Sequence, residues 1–286
     1  MLDPEKLLGA QLEARTTAWT HRDVILYALG LGVGADGIGA QELRRLYEKD
    51  LEVLPTFGAL GAMLDVDSIP SLPGAGFDPS AVLHGEQEFV LHGPVPAAGE
   101  VVCEATVVGV HEKGKNALVV VDAVTRLNGE PLVTGRGGIF CRGEGGFGGS
   151  HGEVLAPAAP RPEREPDAVI DRTVAPDQGA LYRLSGDWNT LHIDPEIATS
   201  VGFPSPILHG MCSFGIAVTA VVDALLDGDV SRVGSYRTRF AGVAYPGDVL
   251  RISAWRVDDG ALFEVVAANR DDAPVLTGGA VTAKES

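Results

Sequence analysis

The segment GDWNTLHIDP (186–195) gathers carboxylate, amide and imidazole side chains within a few residues. Asp187 and His192 are five positions apart, and such a pair can hold one water molecule and act as general acid and general base. If the surroundings separate their pKa values, the pair can add water across a double bond. The alternative is a polar turn whose side chains bond only to local backbone groups. The spacing alone does not decide between these two interpretations.

Two predicted helices follow this segment. The first begins at Asp194, because an aspartate followed by proline and glutamate is typical of an N-cap and first turn. The second is the apolar segment 210–226, which contains Asp223 and is shorter than the ~20 residues that a membrane span needs, so we expect a buried helix. Gly210 begins it. An unpaired backbone N–H at a helix N-terminus can stabilise a carbonyl oxygen that becomes negative during a reaction.

Two other kinds of site are disfavoured. His192, Asp194 and His209 do not form a zinc pattern with nearby cysteines, so we predict no metal. The segment GVGADG (32–37) has the glycine spacing of a dinucleotide fingerprint. It follows a predicted helix, however, and lies outside any βαβ unit, so we interpret it as a glycine-rich turn.

Composition narrows the classes of partner and compartment. The chain has 286 residues and a net charge of −17, which disfavours nonspecific binding to nucleic acid or to an anionic membrane. Its three cysteines follow no metal or redox spacing, as expected in a reducing cytosol. The first residues lack the pattern of a signal peptide, and the last residues are not a peroxisomal signal. We therefore expect a cytoplasmic protein.

The chain contains a weak internal repeat. Residues 143–167 are rich first in glycine and then in proline, and we interpret them as a linker. Segments on the two sides correspond in order, with Gly99-Glu100-Val101 matching Gly247-Asp248-Val249. Each half is predicted to have a helix, at 21–30 in the first half, followed by antiparallel strands, with hairpin turns in KGKN and LNGE. The predicted division is 1–142, 143–167 and 168–286.

The segment YRLSGDWNTLHIDPEIATSVGFPSPILHGMCSFG (182–215) resembles the signature of the hydratase 2 family, the R-specific 2-enoyl-CoA hydratases among the MaoC-like dehydratases. Thr190 stands where that family usually has proline. HGEQ (84–87), EKGKNA (112–117) and RFAGVAYPGD (239–248) resemble other parts of the family pattern. The resemblance implies an α+β double hot dog fold, two repeats each with a long central helix wrapped by an antiparallel sheet. The first repeat would accommodate the acyl chain and the second would be catalytic.

The resemblance also implies roles for particular residues. Asp187 and His192 would hold the water, Asn189 would orient the pair or the thioester, and the Gly210 N–H would polarise the thioester carbonyl. Lys113 suits the phosphates of coenzyme A, although it could equally be a solvated hairpin residue. The residues assigned to substrate binding are His84, Gly85, Lys113, Trp188 and Phe240.

The first half is expected to lack an active site of its own. The sequence alignment of the halves places Asp23 opposite Asp187, but Ala28 stands five residues later where a histidine would be needed. We therefore expect one active site per chain.

The expected activity is the reversible hydration of trans-2-enoyl-CoA to (3R)-3-hydroxyacyl-CoA, with no cofactor beyond the coenzyme A of the substrate. We also expect a homodimer. Two alternatives remain, a hot dog acyl-CoA thioesterase and a non-catalytic acyl-CoA-binding protein. The sequence does not determine the preferred acyl chain, nor which of Asp187 and His192 is the acid.

Overall fold

The structure, a computed structural model, describes residues 2–62, 66–76 and 82–284. Its helices are α1 (Pro4–Leu7), α2 (His21–Gly30), α3 (Ala40–Leu46), α4 (Ala59–Ala62), α5 (Gln178–Tyr182), α6 (Pro195–Ser200) and α7 (Gly210–Leu225). Its strands are β1 (Arg15–Trp19), β2 (Val82–Leu91), β3 (Gly99–Lys113), β4 (Asn116–Leu127), β5 (Glu130–Cys141), β6 (Ser150–Gly152), β7 (Ala168–Thr173), β8 (Val233–Phe240), β9 (Val249–Val257), β10 (Gly260–Ala267) and β11 (Ala273–Ala283).

The chain forms two compact units that are not two continuous halves. The first unit takes residues from three stretches of the chain, 1–17, 61–93 and 100–157. The second unit takes the other residues, 18–60, 94–99 and 158–286. Residues 18–60 therefore belong to the same compact unit as the segment that carries Asp187 and His192.

The first unit is built on an antiparallel sheet with strand order β1-β3-β4-β5-β2, and β6 pairs with β3. The predicted turns at KGKN and LNGE are confirmed. Lys113 pairs with Asn116 across the β3–β4 turn. Asn128 and Gly129 both have positive φ, at 53° and 87°, as a two-residue hairpin turn of this type requires. Alternate residues of the strands, including Val119 and Val121, are fully buried in the core of this unit.

The second unit has an antiparallel sheet with strand order β8-β11-β10-β9-β7. Helix α7 packs on this sheet and contacts all five strands. The segment from Met211 to Val218 is buried without interruption, which explains why the helix is apolar on most of its circumference. The prediction of a buried helix is confirmed. Among the described residues, no helix combines the length and hydropathy that a membrane span requires.

Helix α2, confirmed at His21–Gly30, packs on α5 within the second unit, and the Cys212 thiol of α7 donates to the Gly30 carbonyl oxygen at its end. Gly30 lies so close to Tyr182 that a Cβ atom there would be 3.2 Å from the Tyr182 Cα. The Gln178 side-chain amide donates to the Gly30 carbonyl oxygen. On α7, a Cβ atom at Gly215 would lie 2.7 Å from the Leu31 side chain. Small residues therefore allow the three helices to approach closely.

A row of aromatic rings runs through this part of the second unit. The ring centroids of Trp19 and Phe57 are 5.7 Å apart, and those of Phe57 and Tyr27 are 5.5 Å apart. The next pair, Tyr27 and Tyr182, is separated by 5.9 Å. These distances are typical of favourable aromatic pairs. The row links α2 to α5, the helix that comes directly before the GDWNTLHIDP loop.

The structure differs from the sequence prediction in two respects. Among the described residues of the first half, 2–62, 66–76 and 82–142, no helix matches the length of α7. Pro55 begins one short 3₁₀ turn and Pro70 lies inside another, and proline does not continue an α-helix. The predicted linker also contains ordered structure. Its residues 150–152 form β6, and Glu112 accepts hydrogen bonds from the backbone N–H groups of Gly146 and Gly148 at 3.0 and 2.7 Å. The division into repeats at 143–167 stays a prediction.

The three cysteines, Cys103, Cys141 and Cys212, are free and buried. Burial raises the pKa of each thiol, to about 12 for Cys141. A cysteine nucleophile needs a thiolate near neutral pH, so these thiols are poorly suited to nucleophilic chemistry.

Candidate active site

The GDWNTLHIDP loop is held by hydrogen bonds from its side chains to its own backbone. Gly186 ends the turn after α5 with a φ of 119°, a conformation that suits glycine. The Asp187 carboxylate accepts from the Asn189 N–H at 3.2 Å. The Asn189 side chain caps the next short turn by accepting from the Leu191 N–H at 3.0 Å. The polar-turn interpretation is therefore correct for the local structure, and it leaves the chemistry of the loop open.

Asp194 caps helix α6. Its carboxylate accepts from the backbone N–H groups of Glu196 and Ile197, at 2.8 and 3.3 Å. The predicted N-cap is confirmed, and Asp194 is thereby distinguished from Asp187, which caps no helix.

A second segment fixes the orientation of His192. The Nδ1 atom of His192 donates to the Ile207 carbonyl oxygen at 2.9 Å. A ring that donates through Nδ1 in its neutral form carries its lone pair on Nε2. The imidazole is half-buried. His192 therefore presents a basic nitrogen from a ring whose other nitrogen is anchored to the backbone.

His209 completes the cluster, and the sequence interpretation did not assign it a role in the site. It is fully buried, and its ring centroid lies 3.9 Å from that of His192 with an angle of 31° between the ring planes. Its Nε2 atom donates to the backbone carbonyl oxygen of Asp187 at 3.3 Å. Burial lowers the pKa of His209 to about 3, so this imidazole is neutral at physiological pH. Its position directly before Gly210 was the available sequence signal.

Polar atoms of Asp187 and His192 in the loop, and of His209 before α7, lie within 4.8 Å of one another. One water molecule can bridge groups at this separation, because each of its hydrogen bonds spans about 2.8 Å. The arrangement can therefore hold a water between a carboxylate and an imidazole. That is the geometry which general acid and base catalysis requires.

Gly210 is the first residue of α7 and is exposed. The N-cap residue, His209, makes no side-chain hydrogen bond to the start of the helix. The N–H of the first helical residue, Gly210, has no acceptor within the helix, and it lies at the positive end of the helix dipole. A Cβ atom at Gly210 would lie 3.1 Å from the ring of Phe240. Glycine thus keeps this helix start open beside the Phe240 ring.

Trp188 lies on the outer side of the loop. Its side chain is 56% exposed, and the Arg183 guanidinium lies over its ring at 4.4 Å. The cation–π contact restrains the indole. Because the side chain is more than half exposed, part of its flat apolar surface can contact a ligand.

The remaining predicted substrate-binding residues belong to the first compact unit. The His84 ring is hydrogen-bonded to the Gln87 side chain at 2.8 Å. Gly85 lies in a β-bulge, where the pairing of β2 with β5 shifts between His84 and Glu86. Lys113 is exposed at the end of β3, beside the turn to β4.

Known protein families and relatives match this sequence along nearly the whole chain. The family described as MaoC like domain matches residues 157–273, and the family described as MFE-2 hydratase 2 N-terminal domain matches residues 18–143. The enoyl-CoA hydratase ChsH3 of Mycobacterium tuberculosis is 42% identical over 280 residues, which cover 97% of each protein. The chain belongs to the hydratase 2 family of MaoC-like dehydratases.

Solved structures agree with the hydratase 2 assignment. A MaoC-like dehydratase from Phytophthora capsici is similar with a TM-score of 0.86, 31% identity and 99% coverage of both chains. A protein of Mycobacterium tuberculosis described as a double hot dog fold is similar with a TM-score of 0.57, at 15% identity and 96% coverage of both chains. The second likeness concerns the fold alone. The predicted α+β double hot dog fold is confirmed.

One correction concerns the first half of this hydratase 2 chain. Asp23 lies in the first turn of α2, where its carboxylate accepts from the Thr20 N–H at 2.8 Å and from the Thr20 hydroxyl at 2.9 Å. Asp187 instead follows the end of α5 and its succeeding turn. The two aspartates therefore lie at opposite ends of their helices, and the alignment of Asp23 with Asp187 is wrong. Asp23 is a capping residue.

Proposed function

We propose that this chain catalyses the reversible hydration of trans-2-enoyl-CoA to (3R)-3-hydroxyacyl-CoA. As a member of the hydratase 2 family, the chain is a hydro-lyase. One observation supports the proposal, namely that polar atoms of Asp187 and His192 lie within 4.8 Å of one another, a separation that a single water can bridge.

The proposed reaction follows from the chemistry of these groups. The water between Asp187 and His192 loses a proton to one of them as its oxygen bonds to C3 of the substrate. The electron pair of the C2–C3 double bond moves toward the thioester carbonyl. The other catalytic group, which is protonated before the reaction, gives its proton to C2, so the two groups exchange protonation states over one hydration. The Gly210 N–H donates to the carbonyl oxygen while that oxygen carries negative charge. Asn189 holds the loop through its bond to the Leu191 N–H.

His192 is suited to either proton transfer. Its Nδ1 proton is engaged by the Ile207 carbonyl oxygen at 2.9 Å, so exchange takes place at Nε2. When Nε2 gains a proton, the Ile207 carbonyl also stabilises the resulting imidazolium, because a hydrogen bond to the charged form favours it. Which of Asp187 and His192 is the base is to be tested by measuring kcat against pH in the wild-type chain and in Asp187→Asn.

The substrate contacts complete the proposal. Lys113 supplies a cation for the coenzyme A phosphates in a chain whose net charge is −17. His84, Gly85, Trp188 and Phe240 contact the acyl-CoA. We further propose that the reaction uses no metal and no redox cofactor, that the protein is a homodimer, and that it acts in the cytoplasm.

The test is a hydration assay with crotonyl-, decenoyl- and hexadecenoyl-CoA. We expect loss of the enoyl thioester absorbance and a 3-hydroxyacyl-CoA product that an S-specific 3-hydroxyacyl-CoA dehydrogenase does not oxidise. A thiol reagent in parallel assays detects free coenzyme A. Release of thiol without hydration would identify a thioesterase, and tight binding without turnover would identify an acyl-CoA-binding protein. Either result would contradict the proposed function.

A further inference from the structure

His209 is a buried polar residue in contact with both catalytic groups. Its ring lies between those of Tyr182 and His192, with centroid distances of 5.0 and 3.9 Å. It thus extends the aromatic row of α2 and α5 up to the catalytic imidazole. Although it is the N-cap residue of α7, its side chain does not cap that helix.

Burial of the polar atoms of His209 costs free energy unless each atom has a hydrogen-bond partner. Nε2 donates to the Asp187 carbonyl oxygen at 3.3 Å, and Nδ1 is buried with no hydrogen-bond partner in the described part of the chain. A buried polar atom without a partner costs on the order of 1–3 kcal/mol. A phenylalanine would fill the same ring-shaped space without that cost, so packing alone does not account for a histidine here.

The surroundings keep His209 neutral. Burial is the largest cause of its low pKa, and the adjacent His192 and Arg183 also disfavour a second positive charge. Asp187 faces it through a backbone oxygen, and the Tyr182 hydroxyl, whose pKa burial raises, is uncharged. His209 is therefore a poor proton donor or acceptor for the reaction. It can act on the reaction only through the groups that it holds.

We infer that His209 is a positioning residue, which holds the His192 ring by stacking and the Asp187 backbone by its N–H so that both side chains reach one water. This inference rests on the proposed function. The segment that contains Ile207 and His209 then holds His192 in two ways. The Ile207 carbonyl anchors Nδ1, and the His209 ring covers one face of the imidazole. Rotation of the catalytic ring is restricted by both contacts.

Two variants separate the contacts. His209→Phe keeps a flat ring against His192 but lacks the N–H donor, whereas His209→Gln keeps a donor but lacks the ring. We expect each variant to lower kcat by about 10- to 100-fold, as expected for small misplacement of catalytic groups. We expect KM to change by less than about threefold, because the Gly210 N–H and Phe240 are retained. His92 is exposed in the first unit, and His92→Gln is the control. We expect this variant to have the kcat of wild type.

The state of the His192 ring supplies a readout that does not depend on activity. In the wild-type chain, ¹⁵N NMR of the histidines should show His192 mainly with its proton on Nδ1 at high pH. His209 should be neutral from pH 5 to pH 8, with its single proton on Nε2. In His209→Gln the loss of stacking should shift His192 toward a mixture of tautomers. The inference is overturned if kcat and the His192 signals are unchanged in both variants, or if wild-type His209 titrates in that range.

Failure of the proposed function would give different results. Either the wild-type chain would not hydrate enoyl-CoA, or His192→Ala would retain hydration, while the His192 tautomer would still respond to substitution of His209. The wild-type NMR measurement also covers the case in which a His209 variant does not fold.

Discussion

The Nδ1 atom of His192 lies 2.9 Å from the carbonyl oxygen of Ile207, a residue fifteen positions later in the chain. This bond joins the GDWNTLHIDP loop to the segment that leads into α7. It fixes which nitrogen carries the proton when the imidazole is neutral. The same segment places Gly210 at the start of α7, so one short stretch orients the His192 ring and carries the N–H that we propose for the carbonyl oxygen.

The first prediction concerns the catalytic pair. Asp187→Asn keeps the shape of the side chain and removes its titration, and His192→Ala removes the imidazole. Each should lower kcat by roughly 10²–10⁴-fold in the crotonyl-CoA assay, the usual range for a general acid or base. The double variant should be little worse than either single variant, because residues that act as a unit are not additive.

Asp194→Asn is a matched control for Asp187→Asn. It makes the same change in the same loop, at a residue that caps α6, and asparagine is as good an N-cap as aspartate. Its kcat should stay within about threefold of wild type, because N-cap changes affect mainly stability. Equal losses in the two variants would argue that the loop serves only as structure.

The second prediction concerns Asp23, whose carboxylate caps α2. Asp23→Asn should leave kcat within about twofold, since loss of a capping interaction costs only about 1 kcal/mol of stability. Thermal unfolding should show a decrease in Tm of about 2–4 °C, the shift that 1 kcal/mol produces in a protein of this size class. A loss of kcat comparable to that of Asp187→Asn would contradict the single-site proposal.

The third prediction concerns Lys113, which lies exposed at the end of β3. Lys113→Ala should raise KM for crotonyl-CoA by about fivefold, since an exposed ion pair contributes up to about 1 kcal/mol. The effect should weaken at high salt, where exposed charges are screened. KM for crotonyl-pantetheine, which lacks the coenzyme A nucleotide phosphates, should be unaffected.

Lys115→Ala is the control for that experiment, because Lys115 is exposed in the same hairpin. If both lysine variants raise KM equally, the effect is one of general surface charge and Lys113 has no specific role.

The fourth prediction concerns pH and stability. The folded pKa of His209 is about 3, whereas an unfolded histidine has a pKa of about 6.5. Between these values the unfolded state binds a proton that the folded state excludes, so the free energy of unfolding falls as pH decreases. Above about pH 6.5 both states are neutral and this contribution to the slope vanishes.

The measurement compares wild type with His209→Phe by denaturant unfolding at pH 7 and pH 4.5. From pH 6.5 to 4.5, His209 should contribute a decrease of about 2–3 kcal/mol in wild type, at about 1.4 kcal/mol per pH unit. The variant should lack this decrease, while the contribution of the carboxylates is common to both proteins. Identical pH dependence in the two proteins would mean that His209 is not kept neutral.

The fifth prediction concerns metal. Asp187, His192 and His209 offer three donor atoms close together, a number that catalytic zinc sites use. His192 and His209 each already donate one ring nitrogen to a backbone carbonyl, and the Gly210 N–H can polarise the thioester in place of a metal. Hydration should therefore survive dialysis against EDTA unchanged. A loss that added zinc restores would contradict the metal-free proposal.

Local features were predictable because their signals lie within a few residues. The Asp194 cap, the turn at Asn128–Gly129 and the apolar helix α7 depend on neighbouring residue types and were all confirmed. The family and the fold followed from a long motif. The His209 contacts were not predictable from local sequence, because the stacking on His192 arises only when two separate segments meet.

The alignment of Asp23 and the missed strand β6 have a related cause, since both depend on the surrounding structure and not on residue type alone. Asp23 matched Asp187 in residue type, but capping depends on which end of a helix the carboxylate occupies. Strand β6 was missed because a Gly-rich segment carries no alternating apolar pattern, and its pairing with β3 is made by backbone groups. The site residues themselves remain predictions that the variants above test.

Helix α2 precedes the predicted linker, but it packs against α5 and contacts α7 through the Cys212–Gly30 hydrogen bond. The Trp19 indole donates to the Pro96 carbonyl oxygen at 2.9 Å within the same unit. Recombination between members of the family is constrained by this arrangement. A crossover inside residues 143–167 would join the α2 of one parent to the α5 and α7 of another. Parents that differ at the Gly30 or Gly215 contacts would then produce clashes. Functional chimeras should inherit residues 18–60, 94–99 and 158–286 together.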